Sequence, residues 1–99
     1  MYDDVPIFIK EFLQYMISIK NRSKSTVNEY YYDLRDAFKF LKLYKAINVK
    51  TKNINDELIT NTQITDLNID FVKQIELNDL YEYLTFLSER AFWQGNNQI

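Results

Sequence analysis

The chain has 99 residues, enough for one small domain, and its 46% hydrophobic and 16% aromatic content is too apolar for a disordered segment. It has no Cys and no His, which removes disulfides, thiolate metal sites, the thiol nucleophile, and the commonest general base and zinc ligand. One Gly and one Pro favour helices over turn-rich β structure, and the net charge of −2 is opposite in sign to that of a usual free-standing nucleic-acid-binding domain.

Met1 to Asp4 reads as a short tail, and the start MYDDVP is acidic, unlike a secretory leader. No apolar run approaches the ~20 residues that span a bilayer, so a cytoplasmic protein without membrane contact is expected. The first helix is predicted from about Val5 to Ile19, capped by Asp3 or Asp4, with Pro6 in its first turn. Phe8, Ile9, Phe12, Tyr15, Met16 and Ile19 form its predicted apolar face. Ile7, Leu13 and Ile17 are additional apolar positions off that face. They are suited to packing on a further element or to contact with another protomer.

Lys20 to Ser25 is a polar connection with three basic residues. It leads into the clearest helix of the chain. Thr26 followed by Glu29 is a capping box, with Ser25 as an alternative cap. Val27, Tyr30, Tyr31, Leu34, Phe38, Leu41 and Lys45 then recur at helical spacing, the apolar ones within a wedge of about 80–100°. A second stripe beside it carries Asn28, Tyr32, Arg35, Lys39 and Lys42. Arg22 and Lys24 precede the helix start, where unpaired N–H groups add partial positive charge. An aromatic inner face with a basic flank suits a helix that packs on its own domain and touches a phosphate backbone. The helix is predicted to end near Tyr44 or Lys45.

Ala46 to Gln63 lacks helical periodicity and is expected to be a long mobile loop. Ile47/Val49 and Leu58/Ile59 give it brief strand character, as in a short hairpin. Ile64 to Ile75 reads as an extended entry and a short helix, capped by Asn68 or Asp66, with Ile69, Val72 and Ile75 inside. Asn78 is expected to cap a last helix running to about Arg90. Its predicted core face is Leu80, Tyr83, Leu84, Leu87 and Ala91. Residues 93–99 are expected to be a disordered tail or a cut edge.

No chemistry-bearing constellation is present. A single Gly rules out a phosphate-cradling glycine loop. Carboxylate pairs such as Asp3/Asp4 and Asp56/Glu57 are adjacent, so they diverge in a helix or strand and offer no converging oxygens to a metal. Tyr30 and Tyr31 lie on the buried stripe, where core packing is the ordinary role and nothing lowers a phenol pKa of about 10. No catalytic residue, metal site or cofactor is therefore expected.

The pattern Lys20-Asn21-x-Ser23-x-Ser25-Thr26-Val27-x-x-Tyr30-x-x-Asp33-Leu34-x-x-Phe38-x-Phe40-Leu41 resembles a known family. It follows Phe12-Leu13-x-Tyr15-Met16 and precedes Ile64-x-Asp66-Leu67 and Asp79-Leu80-x-x-Tyr83-Leu84-x-Phe86-Leu87. Order and spacing together resemble the N-terminal, SAM-like core-binding domain of tyrosine recombinases, the phage-integrase and Xer-type group. The resemblance implies an all-α bundle of about four helices over residues 1–92, with a long loop between the second and third. It implies half of a clamp around double-stranded DNA, with strand cleavage and rejoining left to a catalytic domain absent from this chain. Carried over by position, the DNA-facing residues are Thr26, Asn28, Tyr32 and Arg35. Arg22, Lys24, Ser25, Lys39 and Lys42 complete the candidate DNA-binding set. The family has a further basic helix after the equivalent of Leu87, and nothing after Arg90 matches it.

Two functional classes remain. The first is the DNA-binding domain of a site-specific recombinase or integrase, in contact with other protomers through the first helix. Five or six phosphate contacts would give a log K against log salt slope of about −5. The second is a helical protein–protein interaction module with no nucleic-acid role, which the acidic balance favours.

Overall fold

Pro6 opens the first helix, α1 (Ile7–Ser18), in the computed structural model, which describes residues 2–97 with side chains as far as Arg90. The expected Asp3 or Asp4 cap is not made. Pro6 itself takes the cap position, and its carbonyl accepts from the Ile9 and Lys10 N–H groups, both at 3.1 Å. The chain leaves α1 through Asn21 in the left-handed region (φ 53°), while the Arg22 N–H returns to the Met16 carbonyl at 3.0 Å. Asn is one of the few residues that adopt this conformation readily.

Helix α2 (Lys24–Leu41) is the axis of the fold. It starts earlier than expected. Ser23, not Thr26 or Ser25, is the cap, its hydroxyl oxygen accepting from the Thr26 N–H at 3.2 Å. Three hydroxyl residues in four positions gave the sequence equal claims to the cap, and burial of Val27 in the following turn accompanies the earlier start. Beyond Leu41 the helix widens into a π-helical turn (Lys42–Ala46), closed by the Ile47 N–H on the Lys42 carbonyl at 3.0 Å. Asn48, also left-handed at φ 68°, ends it.

The segment expected as a mobile loop is ordered. A 3₁₀ turn (Thr51–Asn53) leads to helix α3 (Asp56–Asn61), whose Asn55 cap accepts from the Leu58 N–H at 2.9 Å. No hairpin forms, and no strand occurs among the described residues. Helix α4 (Ile69–Lys73) is capped by Asn68, one of its two expected caps. Helix α5 (Leu77–Asn97) is longer than predicted, passing Arg90 and entering the segment expected as a tail; residues 98 and 99 lie outside the described ones. Asn78 does not cap it. The Asp79 carboxylate instead reaches back to the Glu76 N–H at 2.8 Å, the reciprocal half of a capping box. The domain is thus the expected all-α bundle, with five α-helices among the described residues.

Two apolar clusters form along α2. Near its start, Val27 packs with Val5, Ile9, Leu13 and Ile64. Near its end, Phe40 and Leu41 pack with Leu43, Ile54, Ile59 and Phe86. The Phe38 ring joins both clusters, 5.2 Å from Phe8 and 6.4 Å from Phe71 between centroids. Flanking α2 on two sides explains why Phe40, off the predicted stripe, is fully buried while Tyr30, Tyr31 and Leu34 are half-buried.

Three facings differ from expectation. In α1, Leu13 is a core residue, whereas Phe12, Tyr15 and Ile19 are exposed. In α4, Ile69 is exposed. In α5, Phe86 and Asp79 point inward, with Tyr83 half-buried, whereas Leu80, Leu84 and Leu87 are exposed; Ala91 lies beyond the described side chains. These helices are apolar on more than one side, so periodicity does not single out the buried face.

Candidate nucleic-acid interface

The Ser23 cap sets where the amino end of α2 opens to solvent. Arg22, Lys24 and Ser25 are all exposed there. Thr26 is half-buried, and its hydroxyl oxygen accepts from the Ser23 hydroxyl at 2.9 Å. Two cations beside unpaired helix N–H groups make a place suited to a phosphate.

One turn further along α2, Asn28 is half-buried and its side-chain oxygen accepts from the Tyr2 hydroxyl at 2.7 Å. Tyr32 is exposed, its ring 5.0 Å from that of Tyr31. The Arg35 guanidinium sits 5.4 Å from the Tyr31 ring centroid and 5.2 Å from that of Tyr32. This is cation–π geometry, which holds the guanidinium plane without consuming its hydrogen-bond donors. Arg35 also pairs with Asp36 at 3.2 Å and with Asp4 at 3.8 Å. Burial works against its charge, but the Tyr31 phenol and Asp36 more than offset it, so the guanidinium is held charged even more firmly than usual. Burial, followed by the bond to Asp4, pushes the Tyr31 phenol above its ordinary value, so it stays neutral.

The basic stripe then changes role. The Lys39 ammonium donates to the Thr60 carbonyl at 3.4 Å. Lys42 donates to the Gln63 carbonyl at 2.6 Å and to Asp66 at 2.8 Å. Its bond to Asp66 pulls that carboxyl below the usual carboxylate range. Lys45, expected on the buried stripe, pairs with buried Asp79 at 3.0 Å. Burial alone would raise the Asp79 pKa, but the Glu76 N–H and Lys45 bring it below the usual range.

The nine candidates therefore fall into two groups. Arg22, Lys24, Ser25, Thr26, Asn28, Tyr32 and Arg35 follow one another along the first three turns of α2 and its approach. Lys39 and Lys42 tie α2 to the segment of residues 60–66. Sequence reasoning missed Tyr2 and Asp4, which touch Asn28, Tyr31 and Arg35 from 26 to 31 positions away. No local pattern carries a signal for such contacts. The described residues contain no group of three or more side chains that could hold a metal, and no helix among them is long and apolar enough to cross a membrane.

Residues 9–62 match the family described as phage integrase, N-terminal SAM-like domain. The chain is also similar to the tyrosine recombinase XerC of Caldanaerobacter subterraneus subsp. tengcongensis, at 36% identity over 84 residues. That match covers 84% of this chain and 22% of the relative's length. No solved structure matches.

Proposed function

Because the chain belongs to the family of phage integrase N-terminal SAM-like domains, we propose that it binds double-stranded DNA as the core-binding domain of a tyrosine recombinase. That domain, expected over residues 1–92, takes in α5, which continues to Asn97. Cleaving and rejoining strands belongs to a longer cytoplasmic protein, of which the XerC relative is the pattern. The observation that carries the reading is the amino end of α2: exposed Arg22 and Lys24 beside free helix N–H groups, followed by Asn28, Tyr32 and Arg35. These supply phosphate contacts first, with base contact secondary. Lys39 and Lys42 lie in the same set, but their internal bonds limit what they offer to DNA. Counting Arg22, Lys24 and Arg35 as phosphate partners gives a log K against log salt slope of about −3.

Contact with neighbouring recombinase protomers uses α1, which exposes Ile7, Phe12, Tyr15 and Ile17. The same exposed residues, with the acidic net charge, favour the second reading, a helical protein-interaction module without a nucleic-acid role. An NMR titration of the labelled domain with a generic duplex at low salt separates the two. Shifts confined to residues 22–35 support DNA binding. Association that depends on protein concentration and ignores DNA supports the module and refutes the DNA reading.

A further inference from the structure

We propose that the segment Tyr2 to Asp4 is an acidic strap that covers the DNA-facing stripe of α2 and competes with the duplex for it. The proposal rests on the DNA-binding reading. The strap makes three polar contacts with α2, two of them on that stripe and one on the neighbouring Tyr31. The Tyr2 hydroxyl donates to the Asn28 side-chain oxygen at 2.7 Å. The Tyr31 hydroxyl donates to one Asp4 oxygen at 2.6 Å, and the other Asp4 oxygen lies 3.8 Å from the Arg35 guanidinium. The Tyr2 ring also packs on Tyr31, with centroids 4.7 Å apart.

These contacts use the groups a duplex would need. A carboxylate facing a guanidinium, itself flanked by two phenol rings, offers the oxygen chemistry of a phosphate. Bound there, the strap fills the Asn28 acceptor and neutralises part of the Arg35 charge. Val5 and Pro6 are buried and anchor the segment, and Tyr2 rests half-buried on the same apolar cluster, whereas Asp3 and Asp4 are exposed. Tyr2 lies in the left-handed region at φ 63°, uncommon for a residue with a side chain. Release of the strap lets that backbone relax. The Asp4 contacts are at the surface and individually weak, and the Tyr2 bond is only partly buried, so a duplex can displace the strap.

The test measures binding of a fluorescent duplex at low salt by the wild-type chain and three variants. Asp4→Asn removes the strap's carboxylate from Arg35 and leaves the Arg35–Asp36 pair in place. Tyr2→Phe removes the bond to Asn28 without changing charge. Asp3→Asn removes the same charge as Asp4→Asn, but at the residue that lies 3.9 Å from Lys10. If the strap is closed most of the time, Asp4→Asn and Tyr2→Phe each bind about two- to fivefold tighter. Asp3→Asn stays closer to wild type. Equal gains for Asp3→Asn and Asp4→Asn, with Tyr2→Phe unchanged, would reduce the effect to bulk charge and overturn the strap. Weaker binding by Asp4→Asn would make Asp4 a positioning residue for Arg35, and would also overturn it. Equal affinity of all four forms defeats the strap alone, whereas no binding by any of them defeats the DNA reading and the strap together.

Discussion

Lys42 and the Arg22/Lys24 pair are all basic residues on or beside one helix, yet replacing them should do opposite things. Lys42→Met keeps the aliphatic stem and removes the ammonium. That ammonium is mostly covered, with 19% of the side chain exposed, and donates to the Gln63 carbonyl at 2.6 Å and Asp66 at 2.8 Å. A hydrogen bond from a charged donor contributes about 1.5–3 kcal/mol. Asp66 is largely exposed, so solvent screening limits the ion pair to at most about 1 kcal/mol. The expected loss is about 2–3 kcal/mol, a fall in Tm of roughly 8–24 °C for a domain of this size. Urea unfolding followed by circular dichroism measures it. Arg22→Ala with Lys24→Ala should leave stability within about 0.5 kcal/mol. The same pair should make the salt slope of DNA binding shallower by about 2. If Lys42→Met left stability untouched and weakened DNA binding as much as the pair does, the division of the stripe into structural and DNA-facing parts would be refuted.

Three further outcomes are expected. Phe40→Ala removes a fully buried ring that touches Tyr44, Tyr83 and Phe86 at 5.0 to 5.8 Å, and should cost about 3–5 kcal/mol in urea unfolding. Ser23→Ala should cost about 1 kcal/mol, whereas Ser25→Ala should cost much less, which a pair of thermal melts distinguishes. Asp79 has its folded pKa below the unfolded value of about 3.9, so its stabilisation is present above that pH and is lost as pH falls through the folded value. Asp79→Asn should therefore destabilise the domain at neutral pH, and the gap to wild type should narrow below about pH 4 in acid unfolding.

How much the sequence revealed was governed by how many directions each helix is packed from. Helix α2 was legible over most of its length because its aromatic stripe and its polar flank are chemically distinct. Phe40 escaped because α5 covers a second side of the same helix. Helices α1 and α5 were legible as helices but not in their facing, since Leu13 and Phe86 compete with Phe12 and Leu84 for the inside on equal hydrophobic terms. Helix α3 is only six residues, too short for periodicity to register. Its Asn55 cap and the Asp56 and Glu57 of its first turn were nonetheless readable helix-start signals. The candidate interface was visible as a row of residue types. Which cations the fold uses for itself depended on carbonyls 21 residues away, at Thr60 and Gln63, beyond any local rule.

The π-helical turn at Lys42–Ala46 acts as a phase shift within a continuous rod. One extra residue in the turn means that the two sides of the helix keep different clocks: the stripe counted from Val27 no longer predicts the direction of Tyr44 or Lys45. Deleting a single residue there would not break the helix. It would tighten the turn to α geometry and rotate the downstream residues by about a quarter turn or slightly more. Lys45 would then swing away from Asp79, and the start of α5 would lose that ion pair while the amino end of α2 stayed as it is.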